Sequence, residues 1–231
     1  MDVEGFRARA AVDGGEMGVY AARPKGGGPR PGLLVFMEAF GVNAHIRSVV
    51  DRWAAEGFFA AAPDLYHRFA PGFEGSYTER EPALANLAKL TVEGLEADVR
   101  AAHAWLSSQD GVEAPLSCVG YCLGGKVSFL AAATVPLKAA VSYYGGGIPA
   151  ILDRAPRVGA PLLLIWGGQD KGIPPAQIAQ VIDGLRAHGK RHVSAEFSSA
   201  EHGFNCDVRA SYHPAASKQA WALASAFLRQ P

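Results

Sequence analysis

The feature that most narrows the fold is an alternation. Short apolar runs bounded by Gly, Pro or polar turn residues take turns with longer segments of helical periodicity. Strands are expected at 6–12, 17–22, 33–37, 58–62, 116–121, 139–144, 162–166 and 192–198. Helices are expected at 44–56, 81–107, 126–134, 175–188 and 214–229, the second of them broken near 91–94. Several strands are continuously apolar, as strands covered on both faces are. Asp13-Gly14-Gly15 separates the first two strands and signals a hairpin. After it β and α alternate. The chain should therefore form an α/β fold with about eight strands in a mostly parallel sheet, helices on both faces and right-handed crossovers. An antiparallel strand is expected at the N-terminal edge. The Gly/Pro-rich stretch 24–32 is short and flanked by strands, which predicts a surface loop, so 1–231 reads as a single domain.

Charge excludes some functions. Lys plus Arg and Asp plus Glu both number 22, so no basic surplus points to nucleic acid. The first residues, M-D-V-E-G-F-R-A-R-A, include acidic residues and lack an apolar h-region, which argues against a secretory signal. No apolar run is long enough to suggest a membrane span. Three cysteines, Cys118, Cys122 and Cys206, make a disulfide framework unexpected and fit a reduced, cytoplasmic setting. Zinc is disfavoured too, because Cys118 and Cys122 lie on a strand running into a turn and not on a knuckle. Neither metal nor organic cofactor is expected. The partner expected is a small molecule, and the chain a monomer or small homo-oligomer.

In parallel sheets ligands gather at the carboxyl ends of strands. Four residues stand just after strands: Glu38, Cys122, Asp170 and His202. G-Y-C-L-G-G, from Gly120 to Gly125, has the strand–turn–helix pattern of a nucleophile elbow with cysteine in the nucleophile's place. A helix N-terminus behind the thiol favours its ionised form and supplies N–H groups, so the Leu123 N–H is an oxyanion-hole candidate. The alternative for Cys122 is a buried structural cysteine, which is the reading for mid-strand Cys118. Asp170 follows the strand L-L-L-I-W-G and could orient a histidine or be a turn aspartate capping the helix after Pro174-Pro175. His202, in S-S-A-E-H-G-F, follows the last strand, where a general base belongs. Glu38, in M-E-A-F-G, puts a carboxylate where an oxyanion loop is expected. It could accept the thiol proton, or merely favour the dipole of the helix that follows. The Ala39 N–H is the second oxyanion candidate.

The stretches M-E-A-F-G-V-N-A-H-I-R, A-A-P-D-L-Y, G-Y-C-L-G-G, W-G-G-Q-D, E-H-G-F and Y-H-P-A-A together resemble the dienelactone hydrolase family of the α/β-hydrolase fold. The resemblance implies Cys122 as nucleophile, His202 as base, Asp170 as its orienting partner and Glu38 as the carboxylate paired with the resting thiol. It implies Phe40 at the pocket wall and hydrolysis of an enol-lactone of the carboxymethylenebutenolide kind through a thioester. Family members acting on dienelactone bind its carboxylate with two arginines. At the first of these positions, four residues past the histidine, this chain has Cys206; Arg209 lies three residues further on. Arg80 is the nearest match to the second. The alternatives are a broader carboxylesterase or thioesterase, or a redox-sensing or ligand-binding protein without turnover.

Overall fold

The computed structural model describes residues 1–230, and the chain divides between Cys118 and Val119 into two compact units. In the first unit, β1 (Val3–Val12) and β2 (Gly15–Pro24) pair antiparallel from Val3↔Pro24 to Val12↔Gly15. Gly14 turns the hairpin at φ 74°, a conformation glycine adopts without steric cost. β3 (Arg30–Phe36), α1 (Ala44–Ala55) and β4 (Phe59–Pro63) follow. β4 pairs parallel with β3 and antiparallel with β2. The Asn43 side chain caps α1 by accepting from the Ile46 N–H at 3.1 Å, and α1 buries Ile46, Val49, Val50 and Trp53.

The long helical pattern is two helices, α2 (Glu81–Leu87) and α3 (Val92–Ser107). Thr91 causes the break. Its backbone is extended and its hydroxyl accepts from the Gly94 N–H, the geometry of an N-cap. β5 (Val112–Tyr121) begins in the first unit and ends in the second.

The second unit continues with α4 (Leu123–Ala132), β6 (Ala140–Tyr143), a 3₁₀ segment (Ile148–Arg157), β7 (Leu162–Gly167), α5 (Pro175–Ala187), β8 (His192–Phe197) and α6 (Pro214–Leu228). β6, β7 and β8 pair parallel in register. Every residue of β6 and β7 is buried, as the continuous apolar run of β7 predicts. Strand order is β1-β2-β4-β3-β5-β6-β7-β8, an eight-stranded, mostly parallel sheet with its antiparallel pair at the N-terminal edge. Among the described residues no helix is long and apolar enough to cross a membrane.

Two departures from the expectation stand out. α4 starts at Leu123, directly after Cys122, and not at Lys126. The Gly124-Gly125 pair has poor helix propensity and reads as a turn. A Cβ on Gly125 would lie 2.7 Å from the Tyr143 carbonyl oxygen, so close packing demands glycine inside the helix. The 3₁₀ segment was not expected; Pro149 and Pro156 interrupt its pattern.

Candidate active site

Cys122 ends a straight route from sequence to strain. β5 is buried from Leu116 to Tyr121, and α4 begins one residue after the cysteine. The chain must reverse within Cys122 itself, at φ 57° and ψ −113°. Such a backbone is rare for a residue with a Cβ and is found where a site over-determines it. The surroundings supply that determination. The Cys122 N–H donates to the Tyr143 carbonyl at 3.0 Å, and its carbonyl accepts from the Gly125 N–H at 2.9 Å. A Cβ on Gly120 would fall 1.9 Å from the Gly124 carbonyl oxygen, so only glycine fits there. The Leu123 N–H belongs to the first turn of α4, where no intrahelical carbonyl can accept it. Cys118, by contrast, is fully buried in the strand.

The β7 and β8 ends carry the other two residues. Asp170 lies in the turn after β7. One carboxylate oxygen, Oδ1, accepts from the Gly172 N–H at 2.8 Å, and Oδ2 lies 2.6 Å from His202 Nδ1. Asp170 thus shapes its turn and holds the histidine. It caps no helix; Pro174 stands at the N-cap of α5. With Nδ1 engaged, Nε2 is left for the Cys122 thiol, to which His202 is also hydrogen-bonded. Burial opposes the charged imidazole. The hydrogen bonds to Asp170 and Cys122, and the negative charge of both, outweigh it and push the pKa up to about 10. Cys122, His202 and Asp170 therefore form one connected chain of polar groups within the second unit.

Tyr144 is a neighbour that sequence reasoning missed. Its ring centroid lies 5.1 Å from that of His202, and its backbone has φ 38°. The residue reads as the last position of an apolar strand. Only the fold reveals that the chain has already turned there.

The remaining expected positions fall in the first unit, except those after His202. Glu38 is fully buried just past β3, and its Oε2 accepts from the Tyr77 hydroxyl at 2.8 Å. Tyr77 also accepts from the Asn43 side chain and packs on Phe40 with ring centroids 4.5 Å apart. No periodicity marks Tyr77, because it lies in an irregular loop. Ala39 is buried, and its carbonyl accepts from the Tyr66 hydroxyl at 2.9 Å. Arg80 is exposed at the start of α2. In the second unit Cys206 is fully buried. Arg209 folds back towards the histidine: a Cβ on Gly203 would lie 2.2 Å from its Nη1.

Known proteins resemble the chain over most of its length. The profile of the dienelactone hydrolase family matches residues 17–231. A protein of Synechocystis sp. named "Putative carboxymethylenebutenolidase" is 34% identical over 213 residues, covering 87% of each chain. One of the same name from Escherichia coli (strain K12) is 36% identical over 219 residues, covering 90% of this chain and 80% of its own. The crystal structure of a "Putative Dienelactone Hydrolase" from Klebsiella pneumoniae subsp. pneumoniae superposes with a TM-score of 0.90 at 32% identity, covering all of both chains. Elbow, sheet order and these likenesses lead to one assignment: the chain belongs to the dienelactone hydrolase family of hydrolases.

Proposed function

We propose that the protein opens an enol-lactone of the carboxymethylenebutenolide kind through a thioester on Cys122. The observation that carries this reading is the strained elbow cysteine hydrogen-bonded to a histidine that is itself held by a buried aspartate. The single-domain organisation expected from the sequence is part of the proposal, supported by the end-to-end likeness to a solved relative.

In the proposed cycle the thiol proton rests on His202 Nε2, as the raised imidazole pKa favours, and the thiolate attacks the lactone carbonyl. The oxyanion is held by the Leu123 N–H and, by the family pattern, the Ala39 N–H. Losing one such donor typically costs about 3–4 kcal/mol. Collapse breaks the ring C–O bond. The enolate, a far better leaving group than an ordinary alkoxide, departs and takes the proton held by His202 to become a ketone, which leaves His202 neutral. Neutral His202 then removes a proton from water, which attacks the thioester. The second tetrahedral intermediate expels the thiolate, and the product is the open-chain acid. Asp170 fixes the histidine tautomer throughout. Glu38 governs the ionisation of the resting thiol, and its complete burial supports a role beyond a helix dipole.

A second reading, a broader esterase, is favoured by one observation. Cys206 is buried and apolar where family members acting on dienelactone carry an arginine. Comparing kcat/KM for a lactone with that for an aryl ester separates the two. The direct test is alkylation of Cys122 with iodoacetamide, followed by mass spectrometry. Activity on both substrates should disappear in step with modification; full activity after complete modification would refute the thioester.

A further inference from the structure

Lys126 has a place in the second unit that the reaction scheme above leaves unused. It stands one helical turn after the nucleophile, and its N–H reaches back to the Cys122 carbonyl at 3.4 Å. Side chains on a helix lean towards its N-terminus, so the lysine stem leans towards the cysteine end of α4. The loop after β6 lies against it. A Cβ on Gly145 would lie 3.0 Å from the Lys126 backbone nitrogen, and one on Gly147 would rest 3.7 Å from the side-chain Cδ and 4.0 Å from Nζ. Gly146 borders Ile173, three residues past Asp170. The Lys126 side chain thus lies between the cysteine's helix and the loop that follows β6, the strand whose last carbonyl accepts the cysteine N–H.

The charge itself is unanswered. Among the described residues the Lys126 side chain has no hydrogen bond and no ion pair. It is half-buried, and burial lowers its pKa from the usual value. A cation drawn partly out of water without a counter-charge is unfavourable, and a bound anion removes the deficit. Within the unit Asp170 is engaged by His202 and Asp153 by Arg154. Arg209 packs over Gly203 and has interactions of its own. One helical turn is roughly 5.4 Å of rise, a span that a small lactone with an exocyclic carboxylate can cover.

We propose that Lys126 is a specificity-determining residue whose ammonium binds a carboxylate on the acyl substrate, selecting anionic lactones over neutral ones. The inference rests on Cys122 being the nucleophile. It assigns to α4 the substrate charge recognition that position 206 cannot supply here.

The test uses carboxymethylenebutenolide and its primary amide as a matched pair, with the full-length protein, Lys126→Met and Lys126→Arg. The acid-to-amide ratio of kcat/KM should fall by about 10- to 100-fold in Lys126→Met, the worth of one charged hydrogen bond. The loss should appear mainly in KM, and Lys126→Arg should restore the ratio to within about threefold of wild type. A ratio changed by less than about twofold, or equal losses on both lactones, overturns the proposal. A second measurement needs no turnover: protection of Cys122 from iodoacetamide by maleate. Maleate should protect the wild type and fail on Lys126→Met; equal protection, or none in either, also overturns it. If wild type opens neither lactone, the lactonase reading fails and the maleate arm alone decides Lys126. Should Lys126→Met not fold, Lys126→Gln takes its place in both arms.

Discussion

Replacing Asp170 by Asn keeps the size of the side chain and removes its charge. The carboxylate is 1% exposed, and its two oxygens have separate duties. An asparagine oxygen can still accept from the Gly172 N–H, where Oδ1 now does at 2.8 Å. The amide NH₂ must then face His202 Nδ1 across the present 2.6 Å contact. Nδ1 becomes an acceptor, the ring proton moves to Nε2, and the nitrogen that should take the thiol proton already carries one. Loss of a hydrogen bond between charged partners is worth about 1.5–3 kcal/mol, or about 10- to 150-fold in rate. The wrong tautomer adds to this, and the equivalent change in serine triads costs about 10⁴ in kcat. The expected fall in kcat for an aryl acetate is therefore about 10² to 10⁴, with a smaller change in KM. NMR of the ring nitrogens supplies the second readout, because the imidazole, pushed up to about 10 in the native protein, should titrate closer to 6.5 in the variant. Stability should respond with the same sign. A pKa raised by folding contributes fully below about 6.5 and is lost as pH rises through about 10, so the variant should show a shallower decline across that window. A kcat within fivefold of wild type, with an unchanged imidazole titration, would refute the triad.

Two further outcomes are expected. Glu38→Gln should change the pH profile of Cys122 inactivation by iodoacetamide, whereas an unchanged profile would leave Glu38 a structural residue bound to Tyr77. In the first unit, buried Asp98 joins His67 at 3.0 Å and Arg68 at 2.6 Å through one oxygen. Asp98→Ala should lower stability by about 3–5 kcal/mol in urea unfolding, and a loss below about 1 kcal/mol would show that the cluster is idle.

Much of this was legible because the apolar runs and their turn residues agree. β7 could be read from L-L-L-I-W-G alone, and the order Cys, Asp, His along the chain suggested one site. The legibility stopped where backbone packing overrides propensity. α4 extends over two glycines that sequence reasoning spends on a turn, and Tyr144 sits at positive φ inside an apparent strand. It stopped again at long-range partners. Nothing in the spacing of Glu38 and Tyr77 joins them across 39 positions, and nothing marks Arg209 as folding back to Gly203. Lys126 looked like an ordinary helix residue because its meaning lies in what does not pair with it.

The elbow is fixed by main chain meeting main chain. Gly120 faces the Gly124 carbonyl, Gly125 faces the Tyr143 carbonyl and Gly145 Cα, and the Cys122 N–H is tied to Tyr143. A joint clamped this way has no side chain whose replacement could loosen it gradually. Substitutions in the surrounding walls can reshape what fits above the sulfur while the sulfur itself stays in register. The fold thereby separates two problems that most sites solve with the same residues, where the nucleophile is and what it sees, so an engineer seeking new acyl groups can vary the walls and leave the glycines untouched.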